Sequence, residues 1–218
     1  LGIKNIVDPN QLAIEDLKIT VTNVKEPSND TGNASFLYLK HAIEIVKKSP
    51  NSALVTSPIC KKLWNSAGHN YSGQTELLSE SCGSPNVGML FTAKSPFTGW
   101  RFNTLLATTH IPLREVPYKL DKNLINSKLD LLYQFCKKFK DKPNIHIAGL
   151  NPHAGEEGLL GTEEVDFINQ AINDWKIKNP LADVSKLISP DSCWISSARA
   201  WRESNTNPPD GILALYHD

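Results

Sequence analysis

The chain lacks an excess of either charge: Lys and Arg number 23, and Asp and Glu number 23, in 218 residues. A balanced surface gives no electrostatic footprint for nucleic acid or for an anionic membrane, so neither partner is expected. No apolar stretch approaches the ~20 residues that span a bilayer. The opening stretch, Leu1-Gly2-Ile3-Lys4-Asn5, carries no charged region followed by an apolar run, so no signal peptide is read there. Cysteine is scarce. Cys60, Cys82, Cys136 and Cys193 form no C-x-x-C pair and suggest no disulfide framework, so reduced thiols and a cytoplasmic setting are expected. There is no G-x-G-x-x-G fingerprint, no P-loop, no internal repeat and no low-complexity segment. The chain begins with Leu1 rather than Met and stops at Asp218, just after an apolar run, so it is expected to be part of a longer protein.

What is present is a set of short apolar runs that lead into histidine. Residues 105–109 lead into His110. Residues 145–150 lead through Asn151-Pro152 into His153, and residues 212–216 lead into His217. Short apolar runs bounded by Pro or Gly read as buried strands. Ligands of open α/β sheets sit just past the carboxyl ends of strands. Three imidazoles at three such ends make a candidate divalent-metal site.

Between these runs the pattern alternates strand and helix, which predicts an α/β fold with a largely parallel or mixed sheet. Strands are expected over 17–21, 53–56, 87–93, 102–109, 144–150 and 212–216. Residues 32–35 read as a turn with Ser35 as N-cap of a helix carrying Phe36, Leu39, Ile43 and Val46. Further helices are expected over 122–139 and 162–175, and the Pro-, Ser- and Asn-rich stretch 177–209 reads as mostly loop with short elements.

Other polar residues are weaker candidates. Lys61 follows a strand-like segment and could meet a phosphate or carboxylate, or simply be a solvated helix-start cation. Gln74 and Thr75 open a helix, where amide, hydroxyl and free N–H groups suit an anion. His146 falls inside a strand and reads as structural, His41 as a helix-surface residue, and His69 as a loop residue of unassigned role.

Taken in order, several segments resemble the PdxA family of NAD-dependent 4-hydroxythreonine-4-phosphate dehydrogenases. They are Ala53-Leu54-Val55-Thr56-Ser57-Pro58 with Lys61, Gly73-Gln74-Thr75-Glu76, and Ala107-Thr108-Thr109-His110-Ile111-Pro112-Leu113. Then come Gly149-Leu150-Asn151-Pro152-His153-Ala154-Gly155-Glu156, Gly161-Thr162-Glu163-Glu164, Ser189-Pro190-Asp191-Ser192 and Leu213-Ala214-Leu215-Tyr216-His217-Asp218. The resemblance runs from about residue 32 to the end, and the block 149–156 is its most specific part.

The resemblance implies an isocitrate/isopropylmalate dehydrogenase-like α/β fold with two subdomains and a cleft at a homodimer interface. On this reading the whole of 1–218 is one α/β unit lacking the family's N- and C-terminal segments. It implies a divalent metal (Zn2+, alternatively Mg2+ or Co2+) held by His110, His153 and His217, drawn from both subunits. Gln74 and Thr75 fall on the substrate-binding pair, and Asp191 and Lys61 on the catalytic set. Asp191 would orient a ligand or take part in proton transfer; Asp183 is a rival that the spacing from Glu163 disfavours. The cofactor is NAD(P)+, with no binding residues assigned. The implied reaction oxidises 4-phosphooxy-L-threonine to a β-keto acid that loses CO2, giving 3-amino-2-oxopropyl phosphate for pyridoxal phosphate synthesis. Gln74 departs from the histidine that many members carry, and glutamine cannot exchange protons. Two alternatives therefore stand: a sister dehydrogenase for a four-carbon sugar-acid 4-phosphate, and a metal-binding dimer without turnover.

Overall fold

The computed structural model describes residues 15–204 and 206–217; the opening stretch 1–5 and Asp218 lie outside them. The chain divides into two compact units, Leu1–Val87 and Gly88–Asp218.

In the first unit, α1 spans Asn29–Lys48, α2 Lys61–Ser66 and α3 Gln74–Cys82. Helix α1 starts earlier than the sequence suggested. Ser28 Oγ accepts from the Thr31 backbone N–H while Thr31 Oγ1 accepts from the Ser28 N–H, a reciprocal cap that overrides the turn-like 32–35. Ser35 instead lies inside the helix, where its hydroxyl accepts from Trp64 Nε1 at 2.8 Å. Gly32 is needed there: a Cβ would fall 2.5 Å from the Leu63 carbonyl oxygen of α2.

Phe36, Leu39, Ile43, Trp64 and Leu77 form this unit's core. His69 belongs to that packing. Its ring stacks on Phe36 with centroids 3.6 Å apart, and Nε2 lies 2.8 Å from Asn33 Oδ1. Burial pushes its pKa down, helped by Lys40. Residues 17–21 and 53–56, expected as strands, pair with no strand among the described residues, and Val55 is 93% exposed. Alternation supplies a face, but a ladder also needs a neighbour.

The second unit is built on a five-stranded sheet ordered β1-β2-β5-β3-β4. The strands are β1 (Leu90–Lys94), β2 (Arg101–Leu106), β3 (Asn144–Ala148), β4 (Asp183–Ile188) and β5 (Gly211–Ala214). β1 pairs antiparallel at one edge, and the other four run parallel. β4 is one of the short elements within the loop-rich stretch 177–209; its Ser, Lys and Asp residues hide the strand pattern, yet it pairs with β3 at both ends across a register shift.

Helices α4 (Val116–Lys119), α5 (Lys122–Cys136) and α6 (Asn169–Lys178) follow, then α7 (Pro190–Cys193) and α8 (Ile195–Ala200). Ile125, Leu129 and Leu132 of α5 and Trp175 of α6 pack with Ile145, Ile147 and Leu213 of the sheet. A smaller cluster joins Ala148, Ile212 and Cys193. β5 is buried along its whole length, as a central parallel strand should be. His146 is in register with Ile212, and Thr104 pairs with the same residue from β2. Desolvation lowers the His146 pKa, which fits a structural role for it.

All four thiols are free, with Cys60 and Cys82 exposed and Cys136 and Cys193 buried. Burial pushes Cys136 up to about 12, with Asp210 adding to it, and Cys193 up to about 11. Thiolate is the reactive form. At pH 8 the native protein should therefore release thionitrobenzoate from Ellman's reagent rapidly at Cys60 and Cys82 only. Cys136 and Cys193 should follow on unfolding in guanidinium. Four fast thiols in the native state would contradict the burial.

Candidate active site

The parallel strands bring their carboxyl ends to one edge of the sheet. Chain leaving β2 reaches His110, and chain leaving the adjacent β5 reaches His217. Both side chains are exposed, with ring centroids 5.6 Å apart and planes tilted by 38°. Phe91 of β1 stands edge-on to His217 at 6.4 Å. His110 has φ 49°, a left-handed conformation uncommon for a side-chain-bearing residue.

His153 follows β3, the other neighbour of β5, but is turned elsewhere. Its Nδ1–H donates to Asp191 Oδ2 at 2.7 Å. Asp191 sits just past β4, at the same sheet edge, and also accepts from the Ser189 hydroxyl at 2.7 Å. The Ser189 hydroxyl, and then His153, hold the Asp191 carboxyl below the usual carboxylate range. Asp183 lies at the opposite end of β4. Among the described residues no three His, Cys, Asp or Glu side chains converge as a metal cage. Within one chain, then, His110 and His217 come together without His153.

The segment that carries His153 has an unusual backbone. Residues 153–157 all have positive φ, at 52°, 55°, 80°, 44° and 57°, and only Gly155 among them lacks a side chain. A left-handed turn costs roughly 1–2 kcal/mol for each side-chain-bearing residue. It persists because its surroundings hold it. Glu164 is 1% exposed. Its Oε1 accepts from the Leu150 and Asn151 backbone N–H groups at 2.8 and 2.7 Å, and its Oε2 from Asn151 Nδ2 at 2.8 Å. Asn151 Nδ2 also donates to Glu163 Oε2 at 2.6 Å. Glu164 opens a π-helical turn, Glu164–Ile168, that runs into α6; such wide turns are frequent at functional sites.

Sequence reasoning did not single out Glu164, Asn151 or Ser189 for these roles. The available signal was a glutamate in line with Ile168, Ile172 and Trp175 on an otherwise buried helical face. A cavity of about 610 Å³ opens beside the turn, between His153 and the Asn169, Asn173 and Lys176 face of α6.

In the first unit, Lys61 begins α2 and its chain runs to the start of α3. A Cβ built on Gly73 would sit 3.6 Å from the Lys61 Nζ and 3.3 Å from Glu76 Oε2. Gln74 Nε2 donates to the Ser57 carbonyl at 2.7 Å, and Thr75 is exposed beside it. Lys61, Gln74 and Thr75 thus gather at one helix start. His41 lies on α1, with Nε2 2.9 Å from Glu15.

Gly161 (φ 142°) backs onto the Asn151 amide, and a Cβ there would fall 2.3 Å from it. Gly161→Ala should therefore break the Asn151–Glu164 contact and lower stability by on the order of 2–3 kcal/mol. Urea unfolding of the two proteins measures this, and equal midpoints would refute the clash.

Comparison with known proteins shows the family. The family model described as "Pyridoxal phosphate biosynthetic protein PdxA" matches residues 3–218. A curated relative from Synechococcus sp. (strain RCC307), named 4-hydroxythreonine-4-phosphate dehydrogenase, is 46% identical over 98% of this chain and 66% of its own length. A relative of the same name from Nostoc sp. (strain PCC 7120) is 42% identical over 98% of this chain and 61% of its own length. The chain therefore spans somewhat less than two-thirds of these relatives. A 1.25 Å crystal structure of 4-hydroxythreonine-4-phosphate dehydrogenase from Klebsiella pneumoniae superimposes with a TM-score of 0.76 at 27% identity, covering 88% of this chain and 55% of that one. The expected α/β, isocitrate/isopropylmalate dehydrogenase-like fold is the fold of these solved relatives. A family match over nearly its whole length, on the residues that build the histidine-bearing sheet edge, makes this chain a member of the PdxA family.

Proposed function

We propose that this chain is the metal- and substrate-binding part of a dehydrogenase that oxidises 4-phosphooxy-L-threonine with NAD(P)+ in pyridoxal phosphate synthesis. One observation carries the reading. His110 and His217 meet at adjacent strand ends, while His153, on the same sheet edge, is held separately by Asp191. The donor set fits a divalent cation. Three imidazoles leave a coordination position open, which suits a catalytic rather than a structural site. With Nδ1–H given to Asp191, His153 keeps the Nε2 lone pair for a metal. Two histidines that converge without the third are what a site shared between two copies requires. Exposed Leu159, Leu160 and Val165, which follow the His153 turn, favour an apolar contact between copies there. When bound, the cation would polarise the substrate's alcohol oxygen, and NAD(P)+ would take the hydride.

The protein's own groups then divide the remaining work. Asp191 orients His153, which favours an orienting role over proton transfer. Lys61, at the start of α2 with its Nζ beside Gly73, supplies a cation for the substrate's phosphate, and Thr75 an exposed hydroxyl. Gln74 has one amide hydrogen on Ser57, and offers the other together with Oε1 for hydrogen bonding.

The test is NADH formation from 4-phosphooxy-L-threonine by the complete protein, with metal content measured on the same preparation. His153→Ala should lose most bound metal and at least a hundredfold in kcat/KM, while the wild type sediments as a dimer. Equal metal content in the two proteins, or a monomer that binds metal tightly, would overturn the shared histidine site. A preference for a sugar-acid phosphate would point to the sister activity instead.

Gln74→His should keep kcat within about tenfold, ~1.4 kcal/mol in the barrier, if that position only binds. Gln74→Ala should raise KM more than it lowers kcat. A several-hundredfold gain in Gln74→His, with a new pH-rate limb near ~6.5, would show that the position needs a titrating group.

A further inference from the structure

Glu164 is the one Asp or Glu side chain among the described residues that is buried, and nothing in its own helix uses its carboxylate. The groups it binds are the last two backbone N–H donors before Pro152-His153 and the side chain of Asn151. On the other side, the left-handed turn folds over the same carboxylate: a Cβ on Gly155 would lie 2.9 Å from Glu164 Oε2. The turn's own bonds, Leu160 N–H to Gly155 O at 3.0 Å and Ala154 N–H to Asn151 O at 3.0 Å, start from the residues so fixed.

We propose that Glu164 is a positioning residue for His153. By taking three N–H groups at the exit of β3, its carboxylate sets where the left-handed turn begins. It thereby sets the direction of the imidazole, with Nδ1–H on Asp191 and Nε2 outward. The role requires a carboxylate, because every contact it makes is as acceptor. An amide at 164 would direct N–H at Asn151 Nδ2, donor against donor. Turning the Asn151 amide over would relieve that contact but place its Oδ1 against Glu163 Oε2, which now accepts from Nδ2 at 2.6 Å. Glutamine therefore keeps the volume of the side chain and loses the arrangement.

The proposal rests on His153 being a ligand, so the test carries one readout that needs no metal. Long-range 1H–15N correlation of the imidazoles in the complete, metal-stripped protein reports which nitrogen of His153 bears hydrogen. Zinc titration of the same samples reports affinity. The wild type should show the Nδ1–H form. Glu164→Gln should show a mixture rich in the Nε2–H form, with a zinc Kd at least tenfold higher. Glu157→Gln, exposed on the same turn, should leave both within twofold. Asn151→Ala removes one donor, keeps both backbone bonds and should give an intermediate shift in both. It decides the matter by the same two readouts if Glu164→Gln does not fold. A wild-type tautomer and affinity in the folded variant would overturn the proposal. If the wild type binds no zinc but its tautomer still follows Glu164, the metal reading fails and the positioning role stands.

Discussion

A buried carboxylate at the exit of β3 is the constraint on which the histidine-bearing edge depends. Parallel strands deliver their chains to one edge of the sheet, but delivery alone does not orient what comes next. His110 and His217 leave neighbouring strands, β2 and β5, and the left-handed backbone at His110 completes the approach of their rings. His153 needs more. The chain must leave β3, pass a proline and reverse its handedness for five residues. Glu164 supplies the anchor by satisfying backbone donors that would otherwise be orphaned at a buried strand end. A buried carboxylate is tolerable only when its lone pairs are used, and here three N–H groups use them.

The same logic links the smaller parts. Asp191 holds the imidazole that Glu164 aims, and Ser189 holds Asp191. These residues come from just past the ends of β3 and β4 and from the π-helical turn that leads into α6. The pairing of β3 with β4 and the packing of α6 on the sheet therefore serve the site as well as the core. In the first unit the arrangement is simpler: Lys61 and Gln74 come from two helix starts that Ser57 and Gly73 bring close.

Much of this was readable in the residues, for reasons that can be named. The strands β2, β3 and β5 are short apolar runs with clear stops, so the strand ends, and with them the three histidines, stood out. Asp183 begins β4, whereas Asp191 lies just past its carboxyl end, beside His153. β4 itself was hidden because its polar composition resembles loop, and only pairing with β3 makes it a strand. Residues 17–21 and 53–56 showed the opposite error: a strand-like pattern without a described partner. The start of α1 was misplaced because Gly32 and Asn33 look like a turn, whereas the Ser28–Thr31 cap had already committed the helix. Glu164 was hidden because its role is long-range: its partners lie fourteen and thirteen residues earlier.

Positive φ at both His110 and His153 has a further consequence. At each position the imidazole leaves the main chain in a direction that right-handed backbone does not offer, so the aim of the ring is set by the chain before any side-chain torsion is chosen. Glycine would relieve the strain at either place, since it occupies this region without penalty. The fold would then gain where the site is erased. At these two positions backbone comfort and the direction of the imidazole pull against each other.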